Sequence, residues 1–438
     1  MAKSPIDHIV RPVSKFIHQE FTGGIILFIQ VVVAIIWVNS AFSESYHHLW
    51  ANELGVELGP YTFKQSLHVW INDGLMALFF FVIGLELKRE FSSGELSTLQ
   101  KASLPMMAAL GGMVVPAAVY ILININTPSV HGWGIPMATD IAFALAILSL
   151  AGKNIPNAVK VFLSALAVAD DLGAVLVIAF FYTPQITFFP LALAAGFLLV
   201  LMAGNLLGIR TTFFYLIVGI AVWACFLFSG VHATIAGVLV AFTIPARTKI
   251  NEEEYLLKIR KNTQDFETAI PQNGSLTTPE QHQIIENIKE ISLDAETPLQ
   301  KIENNLHPWV AFVIMPLFAL SNAGILIGSN FFSTLINPVS LGVTTGLVVG
   351  KLVGILFFAW LMVRLGFSKL PQGANWGHIT GVALLAGVGF TMSLFITELA
   401  FTHPLMVTEA KYGILLASLV SGILGYMILT RQKPENTL

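Results

Sequence analysis

Apolar runs of roughly twenty residues recur along this chain, separated by short polar stretches. At about 1.5 Å of rise per residue, twenty helical residues cover the roughly 30 Å hydrocarbon core of a bilayer. That length predicts twelve spans, near residues 22–40, 70–87, 103–123, 133–150, 157–181, 188–208, 212–229, 231–246, 307–327, 340–363, 376–398 and 407–430. The basic residues test this division, because Lys and Arg collect in short cytoplasmic loops. Lys3, Arg11 and Lys15 precede the first span, Lys88, Arg89 and Lys101 follow the second, and Lys153 and Lys160 follow the fourth. Arg210 follows the sixth, Arg247 and Lys249 the eighth, Arg364 and Lys369 the tenth, and Arg431 and Lys433 the twelfth, whereas the intervening loops hold only Lys64 and Lys411. The alternation fits twelve spans with both termini cytoplasmic. Residues 1–21 carry no small-residue cleavage site and are expected to be a cytoplasmic tail leading into an uncleaved first helix; residues 431–438 are the other tail.

Two loops are longer than a connection needs. Residues 41–69 place Gly55, Gly59 and Pro60 among alternating apolar and polar positions, which predicts a hairpin-like loop on the periplasmic side. Residues 247–306 are polar and mostly acidic, with Pro271, Asn273, Gly274 and Pro279 breaking any long helix. They are expected to be a partly disordered cytoplasmic linker between spans 1–8 (residues 22–246) and spans 9–12 (residues 307–430).

Composition agrees with a membrane solvent. Of 438 residues 55% are hydrophobic and only 11% charged, with mean hydropathy +0.75, whereas soluble domains carry about 25% charged residues. The fold class is therefore all-α and polytopic, with the bilayer as its surroundings. A single cysteine, Cys225, excludes a disulfide framework and a cysteine-based metal site. Net charge of −3 identifies no partner, because the distribution of the charges matters more than their sum. No cofactor and no nucleic acid is expected.

Charges inside the apolar runs carry the candidate chemistry. Asp170 and Asp171 lie in a stretch otherwise apolar or small from Val161 to Phe181. A charge at the bilayer centre costs about 2.5–3.5 kcal/mol, so two adjacent acids need protons, a cation or an aqueous cavity. The fourth span is interrupted at Gly134–Asp140 (GIPMATD), and the eleventh at Ala386–Ser393 (AGVGFTMS). Such paired interruptions in corresponding parts of a chain point to a transporter site. They fall in the middles of spans 3–5 and 10–12, which begin on opposite sides, as inverted-topology repeats require. Broken helices leave about half a unit charge at each end. If the two interruptions cross, Asp140 can neutralise facing N-termini, and Lys351, alone in the tenth span, can neutralise facing C-termini or pair with Asp170. Gly342, Gly346, Gly350 and Gly354 strip one face of that span, so another helix can approach closely.

Other charges read less specifically. Asp73, early in the second span, fits an interfacial carboxylate as well as a pathway residue. Glu86, Lys88, Arg89 and Glu90 look by default like a solvated helix end, as does Glu303 before the ninth span. His232 is either interfacial or a group titrating near neutral pH.

Several blocks resemble the NhaA family of bacterial sodium/proton antiporters: ATDIAFAL at 138–145, LAVADDLG at 166–173, WINDGLMALFFFVIGLELKRE at 70–90, VHATIAG at 231–237 and LHPWV at 306–310. The resemblance implies a twelve-helix inner-membrane transporter, not an enzyme, with spans 4 and 11 interrupted and crossed. It makes Asp171 the principal carboxylate for Na⁺ or Li⁺ and H⁺, with Asp170 beside it and Thr139 a further ligand. Asp140 and Lys351 would balance the crossing, and Lys351 would pair with Asp170. Glu86, Glu90 and Glu303 match positions linked to pH activation, and His232 one linked to pH response. The family further implies an electrogenic cycle and a homodimer joined through the outer hairpin. Two rival functions place acids in a membrane as well. An intramembrane aspartyl protease is disfavoured because Ala167, Val168 and Ala169, not a Gly-x-Gly context, precede the acids; a cation channel is permitted only by the broken helices taken alone.

Overall fold

A computed structural model of the chain describes residues 20–432 apart from 59–60, 153–154, 184–185, 270–276 and 329–334. Most of both expected tails, Lys153, the hairpin residues Gly59 and Pro60, and the breakers Pro271, Asn273 and Gly274 lie outside the described residues.

Helix α1 (Glu20–Val38) is followed at a 114° bend by the short α2 (Ser43–Ala51). Strands β1 (Glu53–Leu58) and β2 (Tyr61–Ser66) pair antiparallel, with Glu53 opposite Ser66 and Leu58 opposite Tyr61. Helix α3 (Leu67–Ser93) contains a π turn at Trp70–Leu75, and α4 (Leu99–Asn124) carries Pro105 and Pro116 in its interior. A 3₁₀ helix at Pro128–Met137 leads, at a 44° bend, into α5 (Ile141–Leu150). The long α6 (Asn157–Phe181), α7 (Phe188–Leu206) and α8 (Thr212–Ser229) come next, then α9 (Ala233–Thr243).

Helices α10 (Glu252–Thr268) and α11 (Pro279–Ala295) pack on each other, and α12 (Pro298–Trp309) passes through a π turn into α13 (Met315–Asn322). The second half closes with α14 (Pro338–Arg364), then α15 (Trp376–Ala386) and α16 (Phe390–Ala400) at a mutual 42° bend, and α17 (Pro404–Arg431). Among the described residues seven helices are long and apolar enough to cross a membrane, and up to ten spans result if each bent pair counts as one. The protein is an all-α, multi-pass membrane protein apart from the β1–β2 hairpin.

The described residues of the acidic segment are largely helical. Pro279, expected to break a long helix, stands at a helix start. Pro279 follows the N-cap Thr278, whose hydroxyl accepts from Gln281 N while Gln281 Oε1 accepts from Thr278 N, each at 3.1 Å. Pro298 likewise follows the N-cap Thr297. Proline at the first helical position removes only an N–H that has no partner anyway. Asp294 then ties the end of α11 back to the membrane region: its Oδ2 meets Lys249 Nζ at 2.8 Å and its carbonyl accepts from Lys249 N at 3.0 Å.

The glycine face of α14 determines how closely it lies on α4. A Cβ on Gly350 would stand 2.7 Å from Pro116 Cα, one on Gly346 would stand 3.2 Å from Pro116 O, and one on Gly354 would overlap Gly111 O. The helices meet backbone to backbone, and Lys351 is carried into the interior with 0% exposure. Replacing Gly354 with Leu is expected to force the pair apart and lower the melting temperature in detergent, since overpacking costs about 1–3 kcal/mol. Gly196→Leu on α7, where a Cβ meets nothing within 4 Å, should leave it unchanged; equal melting of the two variants would contradict the close α4–α14 contact.

Candidate functional site

The two interruptions are built differently and touch each other. In the first, Ala138 and Asp140 are extended (ψ 149° and 98°), and Asp140 caps α5 by accepting from Phe143 N at 3.1 Å through Oδ1. In the second, α15 ends at Ala386 and α16 begins at Phe390, leaving Gly387, Val388 and Gly389 between them. A Cβ on Gly389 would lie 3.0 Å from Ala138 O, so only a glycine admits the other strand this closely. Asp140 N donates to Val388 O at 2.7 Å. The other carboxylate oxygen, Oδ2, accepts from Thr391 N at 3.0 Å and from the Thr391 hydroxyl. One carboxylate therefore receives amide protons from the first turns of both half-helices, where partial positive charge accumulates.

Thr139 faces the opposite ends. Its Oγ1 stands 2.8 Å from the Ala386 carbonyl at the end of α15 and 2.6 Å from Asp170 Oδ2, and accepts from Lys351 Nζ at 2.8 Å. The hydroxyl has one proton, so it can donate to Ala386 O or to Asp170 but not to both. Lys351 also forms an ion pair with Asp170 Oδ2, and both side chains are wholly buried.

Asp171 differs from its neighbour. Successive residues on α6 point about 100° apart, so Asp171 does not share the lysine. It is 1% exposed, and neither of its oxygens, nor Asp170 Oδ1, accepts a hydrogen bond from a described residue. A bare buried carboxylate is strongly disfavoured unless it is neutralised. The cluster thus presents unsatisfied hard oxygens, which suit either a proton or a small hard cation.

Four of the charges resolve into a second group around Arg89. Its guanidinium lies 2.9 Å from Glu303 Oε1, 3.4 Å from Glu90 Oε1 and 3.8 Å from Glu86 Oε1. Glu303 comes from α12, and burial pushes its carboxyl above the usual range, with Arg89 opposing that shift and Glu86 adding to it. Lys88 leaves this group: its Nζ donates to Phe242 O at 2.7 Å and to Ile244 O, at the C-terminal end of α9. An apolar cluster of Leu87, Leu96, Ala102 and Val168, with Leu172 against it, joins α3 and α6.

His232 and Asp73 belong to neither group. His232 Nε2 donates to Tyr182 O at 2.9 Å, and the Tyr182 hydroxyl donates to His131 O at 2.8 Å. Asp73 sits in the π turn of α3, roughly 24 Å of helix before Arg89, and its carbonyl accepts from Trp223 Nε1 at 3.0 Å. Two site residues escaped sequence reasoning. Arg89 was visible as a base between acids, but nothing local pointed to Glu303 as its nearest partner. Thr391 was signalled only by lying inside the second interruption, which also holds the hydroxyl of Ser393.

The family described as Na⁺/H⁺ antiporter 1 matches residues 14–429. The Na⁺/H⁺ antiporter NhaA of Oleidesulfovibrio alaskensis is 47% identical over 98% of this chain and 95% of its own length. The Na⁺/H⁺ antiporter NhaA 2 of Syntrophotalea carbinolica is 44% identical over 97% and 98%, and the Na⁺/H⁺ antiporter NhaA of Acidithiobacillus ferrooxidans 47% identical over 96% and 97%. With a family match from residue 14 to 429 and relatives alike along almost all of their length, the chain belongs to the NhaA family of Na⁺/H⁺ antiporters.

Proposed function

We propose that this chain exchanges cytoplasmic Na⁺ or Li⁺ for external H⁺, with the cation and the proton competing for Asp171. The observation that carries this reading is the buried Asp171 carboxylate that accepts no hydrogen bond from a described residue, next to an Asp170 that Lys351 already engages. A proton on Asp171 neutralises it in one state; a cation held by Asp171, Asp170 and Thr139 Oγ1 does so in the other. Competition at a site open alternately to either side is sufficient for antiport. If more than one proton enters for each cation leaving, the membrane potential, about 2.3 kcal/mol per charge per 100 mV, drives extrusion.

Asp140 and Lys351 hold the crossing together in this scheme. An aspartyl protease loses support, because its two acids would have to face each other across one proton, whereas here they diverge on one helix. The proposed topology is twelve spans in the bacterial inner membrane with both termini cytoplasmic. The basic loops support it, and so does the position of the two bends at the interruptions of spans 4 and 11. A homodimer through the β1–β2 hairpin is proposed on the open edge that each strand of a two-stranded sheet presents. Arg89 and its three acids form the proposed pH-responsive group, with Glu303 as its titrating member; His232 and Asp73 are proposed to act apart from it, toward the outer side.

Asp171→Asn is expected to abolish Na⁺-dependent proton movement in everted vesicles while the protein remains folded; full exchange by this variant would sink the assignment. Lys351→Ala leaves Asp170 buried without its cation, which should destabilise by about 3–5 kcal/mol. Adding Asp170→Asn to it should restore most of the loss, and an unchanged deficit in the double variant would rule out the pair as its cause. For Glu303 the sign follows from its raised folded-state value. Stability associated with its protonated form is complete below the unfolded carboxylate range and lost as pH rises through the folded value. Glu303→Gln should therefore gain in melting temperature relative to the parent as pH rises, and should flatten the pH activation of exchange. A constant difference at every pH would remove Glu303 from the pH response.

A further inference from the structure

A groove of about 430 Å³ opens on the outer wall of the protein between α1, α5 and α17 and ends at the second interruption. Its floor is made where side chains are smallest. Gly24 meets Ala142 and Ala146, and a Cβ on Gly422 would lie 3.1 Å from Ile147 Cδ1. One wall is an aromatic series. Phe28 meets Phe143 edge-on at 6.5 Å, and Phe143 meets Phe390 edge-on at 5.7 Å, so the wall runs from an exposed ring on α1 to the first residue of α16. Tyr426, partly exposed, stands at the other end, near the Arg431 terminus of α17.

The length of the groove identifies its occupant. From Leu415 to Tyr426 α17 rises roughly 17 Å, and α5 from end to end about 15 Å. Each is about half of the roughly 30 Å hydrocarbon core. The groove therefore runs from the interface, where a Tyr ring belongs, to mid-membrane depth, where Val388 and Phe390 flank the break. Its surroundings are hydrocarbon, and its apolar lining offers a flexible aliphatic rod more close contacts than a void would; dispersion contacts are individually small and collectively large. We infer that this groove holds one phospholipid acyl chain from the leaflet nearest Arg431, its methyl end resting on Val388 and Phe390. The chain then packs against the backbone segment that contacts Asp140, so a membrane component becomes part of the wall behind the crossing.

The test is photolabelling of the full chain in liposomes of phosphatidylethanolamine and phosphatidylglycerol. These carry a trace of phospholipid with a diazirine at the acyl terminus, and adducts are mapped by peptide mass spectrometry. Adducts are expected to concentrate on the α5, α16 and α17 segments lining the groove. They should exceed those on the face of α7, although Leu199 there is 65% exposed. Gly422→Leu, which fills the floor, and Leu419→Trp, which covers the mouth, should each lower groove labelling to the α7 level and leave α7 labelling unchanged. If the Leu variant fails to fold, the Trp variant decides alone. Equal labelling of groove and α7 in the parent, or labelling unaffected by the folded variants, would overturn the inference, as would a groove closed by cross-links to a second copy of the chain. The readout needs no ion gradient, so failure of the exchange assignment and failure of this inference are separable.

Discussion

Two helix pairs that break in the buried interior leave four ends whose N–H and C=O groups have no water to turn to, and the site is arranged around that demand. Asp140 answers both positive ends with one carboxylate, capping Phe143 N on its own helix and Thr391 N on the other. The carbonyl end of α15 is met by the Thr139 hydroxyl, which also contacts Lys351 and Asp170. Because adjacent residues of one interruption serve opposite ends, the two breaks cannot slide along each other without uncovering buried polar groups, each worth about 1–3 kcal/mol when left without a partner. The crossing is held by hydrogen bonds more than by apolar fit.

That arrangement makes the two acids of α6 unequal. Lys351 reaches Asp170 only because α14 lies against α4 at glycines, and because the π turn Gly346–Gly350 immediately precedes the lysine. A π turn adds a residue to one helical turn and resets the direction of everything after it, and such turns are found often at functional sites. With the ammonium and the Thr139 hydroxyl on Asp170, Asp171 is left about 100° around α6 without a hydrogen-bond partner among the described residues. The same backbone contacts that seat the lysine thus leave a second carboxylate whose oxygens accept no hydrogen bond from a described residue.

Sequence revealed the site better than its wiring. Asp140, Asp170, Asp171 and Lys351 stood out because charge is costly in hydrocarbon, and Thr139 because it neighbours a proline-interrupted segment. Hydrogen-bond directions did not stand out: nothing in a one-dimensional pattern says that Thr391 turns to Asp140, or that Lys88 leaves its neighbours for the end of α9. The helices of the acidic segment escaped the sequence for a related reason. A proline in a polar stretch marks a helix start as readily as a stop, and the capping Thr278 and Thr297 decide which. The apolar-length criterion likewise treats α9 as an ordinary span, yet its eleven residues reach only about 17 Å.

Arg89 links the acids of α3 and α12 to the packing around the buried pair. Its guanidinium joins Glu303 of α12 to Glu86 and Glu90 of α3, and one turn of α3 is packed through Leu87 onto Val168 and Leu172, which bracket the acids of α6. Glu303 is in turn not free to move with its own side chain alone. Two residues separate α11 from α12, Asp294 of α11 is fixed to Lys249, and Leu299 N donates to Pro245 O at 3.2 Å. Glu303 therefore sits between two anchored helices, and one of them, α3, packs through Leu87 against the segment of α6 that carries Asp170 and Asp171.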